Sequence, residues 1–212
     1  MRTRFKKLFS FAGVIAPLYF FILVTVLGPL WKGYNFIKEY VSALGADGSP
    51  YIFEISIFGF CLLGLVLIGF ALSLHALLKK SRLCTVATIL LVIGSTALFS
   101  LGIFRDDRYG TVTFHAKIHR IDALAVFISI PLSVILYGLV FKNEGPAEKV
   151  LQFSSLVLGA VALLATVSII INPSSYYAGT IERLGIYSIL IWVFLVSVRL
   201  LLENKMIEIF KE

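Results

Sequence analysis

Charge is scarce in this chain. Of its 212 residues only 15% are Asp, Glu, Lys or Arg, while 59% are hydrophobic, and the mean hydropathy is strongly positive. Soluble globular domains carry about 25% charged residues, so the deficit excludes an ordinary water-soluble fold and points to a bilayer. Cysteine is scarcer still. Cys61 and Cys84 fall at different depths of neighbouring apolar runs, roughly 20 Å apart at about 1.5 Å of helix rise per residue. That exceeds disulfide reach, and both read as packing residues. With only His75, His115 and His119, the chain is one histidine short of a bis-histidine dihaem carrier. Moreover, His115 and His119 share one helix and cannot face each other across a haem. Absent too are an alternating barrel pattern, an internal repeat, and any soluble module that could present basic residues to nucleic acid.

What the chain does have is six long apolar runs, near 9–31, 52–78, 84–104, 120–141, 150–172 and 184–202. A spanning helix needs about 20 such residues, and an unclosed chain can satisfy its backbone in lipid only as helix. The fold class expected is therefore all-α: a polytopic bundle of six transmembrane helices forming one domain over residues 1–212. Residues 2–7 add four positive charges before the first run, but that run is too long for a signal peptide and no small-x-small site follows it. It reads as a retained first helix.

Lysine and arginine set the orientation. With the N-terminus inside, twelve of them lie on the cytoplasmic side (Arg2, Arg4, Lys6, Lys7, Lys79, Lys80, Arg82, Lys142, Lys149, Arg199, Lys205 and Lys211) and seven outside. This matches the positive-inside bias and predicts both termini in the cytoplasm, in the cell membrane of a prokaryote. Only five acids share the inner side, so the net charge of +7 gathers there, facing anionic headgroups.

The two cytoplasmic connections around Lys79 and Lys142 are short and force antiparallel neighbours. The outer three are richer. After the first helix, Phe36, Ile37, Tyr40, Val41 and Leu44 recur at helical spacing before Gly45. They predict a short amphipathic helix with its apolar side in the interface and Asn35, Glu39 and Ser42 on another face. In the third, Asn172-Pro173 is a helix stop, Thr180 a candidate cap, and Glu182 a first-turn acid. Pro17 and Pro131 fall inside spanning helices, where neighbouring groups must take up the carbonyls they free.

The second outer connection, FRDDRYGTVTFHAKIHRID over 104–122, packs four basic side chains, three acids and two histidines between apolar runs. His115, His119 and Asp122 share a helical face if the fourth helix begins near Phe114. Two imidazoles and a carboxylate can ligate zinc or another divalent metal, and such a metal could activate water. The competing expectation is a structural or headgroup-binding network with Arg105, Asp106, Asp107 and Arg108. An ionisable Asp122 at this depth favours some function.

The segments YVSALG, GIFRDD and GTIERLG, with His115 opening the fourth helix, resemble the family named domain of unknown function 998, six-helix membrane proteins of archaea and bacteria. More distantly the layout resembles the Frag1/DRAM/Sfk1 group. The family often has proline where this chain has Arg105. The resemblance implies the six-helix fold and no reaction. Its matched positions Ser42, Gly45, Asp106, His115, Glu182 and Arg183 all fall on the predicted outer side.

The functional expectation is a polar extracytoplasmic pocket for a lipid headgroup or other amphiphile. Arg105, Arg108, Lys117, Arg120 and Arg183 would hold an anionic group, with Ser42, Asp107 and Glu182 as further contacts. Asp106, His115, His119 and Asp122 would orient it or do acid/base work. The alternatives are a metal-assisted lipid hydrolase or transferase built on His115, His119 and Asp122, a small-solute transporter, and a membrane scaffold. Membrane lipids are the expected partners, nucleic acid is not, and a homo-oligomer is compatible with the bundle.

Overall fold

The computed structural model describes residues 2–78, 81–107, 112–141 and 145–209, and within these the side chains from 8 to 202. It contains α1 (Arg2–Leu30), a π-helical stretch (Glu54–Cys61) running into α2 (Leu62–Leu77), α3 (Arg82–Leu101), α4 (Phe114–Val140), α5 (Pro146–Ile171) and α6 (Ala178–Ile209). No strand occurs among the described residues. Among the described residues six helices are long and apolar enough to cross a membrane.

Local chemistry sets the helix ends. Ser81 Oγ accepts from the Cys84 N–H at 3.1 Å, and Thr113 Oγ1 from that of Ala116 at 3.3 Å. Both are side-chain N-caps. Pro146 begins α5 where a missing N–H costs nothing, and Asn172-Pro173 ends that helix after Ile171 as expected. Several helices begin earlier than their apolar runs, α4 and α6 among them. Helix α4 starts at Phe114, because its first turns carry Lys117 and Arg120. Helix α6 starts at Ala178, which puts Thr180 inside the helix rather than at its cap and Glu182 in the second turn.

Each helix packs on its chain neighbours, and α1 packs on α6, so the six close into a ring, with α4 also touching α6. The outward faces are greasy: Phe153, Leu164 and Ile171 on α5 are 71%, 67% and 77% exposed. Such a surface suits a bilayer rather than water. Inside, small residues permit close approach. A Cβ on Gly64 would lie 2.6 Å from the Phe99 nitrogen and 2.8 Å from the Ser95 oxygen, so α2 and α3 meet backbone to backbone there.

Pro131 bends the accounting of α4, because it has no N–H for the Phe127 carbonyl four residues back. Thr166 of α5 supplies the donor: its hydroxyl lies 2.9 Å from the Phe127 oxygen and 2.9 Å from that of Ala162. Thr166→Val should therefore lower unfolding stability by about 1 kcal/mol, in the range of interhelical hydrogen bonds in membranes, while Thr166→Ser should not. Unfolding of both variants in mixed micelles decides this; equal loss in both would mean that the hydroxyl is irrelevant.

The half of the ring away from the α1–α2, α3–α4 and α5–α6 connections is filled by aromatic side chains. Trp192, Tyr137 and Phe70 are completely buried, with Trp192 edge-on to Phe70 at 5.9 Å and tilted on Tyr137 at 5.7 Å. Their polar tips are satisfied by Ser155 at 2.7 Å and Thr88 at 2.8 Å. Cys61 and Cys84 are buried and free, in keeping with packing roles. The other half, called here the loop end, holds the site.

The α1–α2 connection departs from the amphipathic helix its periodicity suggests. It forms turns and then a 3-10 helix, Val41–Gly45, whose Val41 and Leu44 are buried in the core. Its apolar side faces protein, and Ile37 is the residue left outside. The reason is competition for the backbone. Asn35 Oδ1 accepts from the N–H groups of Ile37 and Lys38, both at 3.1 Å, and Glu39 Oε2 accepts from that of Asn35 at 2.7 Å. The carbonyls a helix would use are claimed by α6.

Candidate functional site

Two neighbouring residues of α6 organise the loop end in opposite ways. Arg183 is 4% exposed and is spent on the protein. Its Nη1 donates to the carbonyls of Phe36 at 2.9 Å, Glu39 at 3.0 Å and Gly179 at 2.9 Å, and its Nη2 donates to the Tyr34 hydroxyl. The guanidinium also lies 3.8 Å from the centre of the Phe36 ring, a cation–π stack. Burial pushes the Tyr34 phenol above its usual range despite the opposing Arg183 charge, so it stays protonated. Gly179 lets this happen, since a Cβ there would run into the Glu39 carbonyl oxygen.

Glu182, 5% exposed, accepts the Val41 N–H with Oε2 and thereby holds the start of the 3-10 helix. Its Oε1 takes no bond from the described residues. The side chain walls two spaces that meet at Ser42, His119, Ala123, Phe127 and Glu182. One is a narrow apolar chamber of about 80 Å³ inside the ring, reaching Leu67, Ile130 and Leu190. The other is a wider cleft of about 470 Å³ that opens on the flank between α4 and α5, past Leu124 and Ile170. Leu124 and Ile170 are 48% and 55% exposed, so apolar side chains edge this opening.

His119 is 4% exposed, and its Nδ1 lies 2.7 Å from the Phe104 carbonyl. A carbonyl can only accept, so Nδ1 is a donor here, and the tautomer with its proton on Nδ1 has its lone pair on Nε2. That nitrogen has no partner among the described residues. Ser42 Oγ likewise has none. Tyr40, at the cleft rim, donates to the Pro173 carbonyl at 2.8 Å, joining the α1–α2 and α5–α6 connections. Burial first, and then the Glu182 charge, push its phenol upward, so it remains a donor.

The cleft mouth carries Asp106 and Arg120. They pair loosely, at 3.9 Å with Arg120 59% exposed, a separation worth little in itself. Asp106 accepts the N–H of Asp107 at 3.0 Å on its side chain, and its carbonyl accepts that of Asp47 at 3.2 Å.

The structure thus gathers Ser42, Asp106, His119, Arg120 and Glu182 around one cavity and sends the other candidates elsewhere. Asp107 caps the approach to α4, taking the Thr113 N–H at 2.6 Å and hydroxyl at 3.0 Å. Arg105 pairs with Asp47 at 3.8 Å and borders a separate hollow beside Glu54. His115 is exposed and packs on Phe104 at 5.4 Å. Lys117 is exposed. Asp122 has one buried oxygen without a partner and lies off the cavity wall. Arg108 lies outside the described residues, as do Lys79, Lys80 and Lys142 of the opposite connections. Among the described residues no three His, Cys, Asp or Glu side chains are grouped to hold a metal ion.

Tyr40, Phe127 and Thr166 were not legible as site residues. Pro131 was the available signal for the last two: it identifies the carbonyl that needs an outside donor, although not the donor.

Six apolar helices closed around a cavity at one end define a polytopic membrane protein. The chain belongs to the family described as "Protein of unknown function (DUF998)", whose sequence model matches residues 14–199. No curated protein and no solved structure shows significant similarity to it.

Proposed function

We propose that the protein binds a membrane amphiphile in this cavity, at the extracytoplasmic face, with the apolar part of the ligand in the inner chamber and its polar end at Glu182, His119 and Ser42. The observation that carries the reading is the position of two nearly buried, half-satisfied ionisable groups. They stand where a greasy chamber meets a cleft open to the bilayer flank. Polar atoms held so are costly unless a partner arrives, and ligand sites in bundles combine apolar walls with a few convergent polar groups. The extracytoplasmic assignment follows from the lysine and arginine distribution. The aromatic fill of Trp192, Tyr137 and Phe70 lies beyond the chamber and favours a blind binding site over a conduit.

Ala123 lines both spaces, so Ala123→Trp should occlude their junction. Native mass spectrometry of protein from nanodiscs should show about one retained amphiphile per chain in the wild type and at least a tenfold smaller bound fraction in the variant, the scale of a lost ligand subsite. A correctly folded variant that retains the same amphiphile at the same occupancy would refute the reading.

A further inference from the structure

The polar end of the cavity is short of donors. Glu182, His119 and Ser42 line both spaces, and Glu182 Oε1, His119 Nε2 and Ser42 Oγ, each able to accept, have no partner among the described residues. The nearest buried cation, Arg183, is turned into the α1–α2 connection, and its remaining Nε is buried away from the cavity. Arg120 stands at the cleft mouth beside Asp106, Arg105 is paired with Asp47, and Lys117 is exposed and off the cavity wall. An anionic headgroup pushed inward would therefore meet Glu182 in a chamber that no Arg or Lys among the described residues lines.

Building on the amphiphile reading above, we infer that the ligand's polar end is a protonated primary amine. An alkylammonium offers three N–H donors, as many as the polar residues that line both spaces, and its charge would answer a buried carboxyl that takes one hydrogen bond from the described residues. A hydroxyl would satisfy one acceptor and leave the charge. A trimethylammonium would answer the charge but donate nothing. The inference reverses the expectation of a basic, anion-holding pocket: of the side chains that suggested one, Arg105, Lys117, Arg120 and Arg183 are engaged elsewhere or lie outside the inner wall.

The test uses four probes with the same chain, dodecylammonium, dodecyltrimethylammonium, dodecanol and dodecyl phosphate, titrated onto the full-length protein in nanodiscs and read by native mass spectrometry. Dodecylammonium should bind at least about tenfold tighter than the other three, as expected for a site built around hydrogen-bonded donors. Glu182→Gln keeps an oxygen for the Val41 N–H and should bring the amine within about threefold of dodecanol, the loss of one charge-assisted bond. Ser42→Ala, which touches no fold contact of its side chain, should weaken amine binding by a smaller factor, about two- to fivefold. Phosphate or alcohol binding as tightly as the amine, at one per chain and abolished by Ala123→Trp, would overturn the amine inference and leave the cavity reading standing. No saturable binding of any probe would overturn both.

Discussion

Arg183→Ala is expected to be the most damaging single substitution at the loop end, at about 4 kcal/mol of unfolding free energy. The guanidinium satisfies the carbonyls of Phe36, Glu39 and Gly179 and the Tyr34 hydroxyl. Hydrogen bonds to charged groups contribute roughly 1.5–3 kcal/mol, and abandoned buried acceptors add a desolvation cost of about 1–3 kcal/mol each. These do not sum, because the freed connection can turn its carbonyls toward water. Arg183→Lys should recover only part of the loss, since an ammonium cannot reproduce the planar fork or its stack on Phe36. Unfolding midpoints in mixed micelles measure both variants. If alanine melts within a degree of the wild type, the connection is held by something other than this residue.

The second large effect is expected at Gly64→Val. The atoms that a side chain would meet belong to the Ser95 and Phe99 backbone, so no rotamer can clear them and α2 must move off α3. Overpacking usually costs about 1–3 kcal/mol, and this substitution should reach at least the upper end. Because Leu63 and Leu67 on α2 and Leu98 and Leu101 on α3 wall the inner chamber, the displacement should weaken amphiphile retention as well. Leu65→Ala, on the exposed face of the same helix, is the control, with a change within about 0.5 kcal/mol. Equal melting of Gly64→Val and wild type would show that the two helices are free to separate.

The helices were legible because a spanning segment is written as an unbroken apolar run, which needs no tertiary information. Their starts were less so. The first turns of α4, with His115, Lys117 and His119, are too polar to score as membrane, yet Thr113 caps them as helix. The spacing predicts His115, His119 and Asp122 on one helical face, but it says nothing of where the ring of helices ends. His119 reaches the Phe104 carbonyl just past α3, whereas His115, one turn further out, is exposed. Arg183 illustrates the same limit. Its charge suggested an anion contact, while the carbonyls that occupy it come from residues 36 and 39, a long-range partnership that no local pattern encodes.

That partnership has a consequence for biogenesis. Val41 and Glu182 are 141 residues apart, and at about 5–20 residues per second of synthesis the wait between them is about 7–28 s. Throughout that interval the segment after the first helix has neither its carboxylate nor its guanidinium, and the first helix lacks its final neighbour. The cavity comes into being only with the last helix. On the proposed reading, a ribosome that stops before α6 leaves a product unable to take up amphiphile, and occupancy would report that α6 has been made.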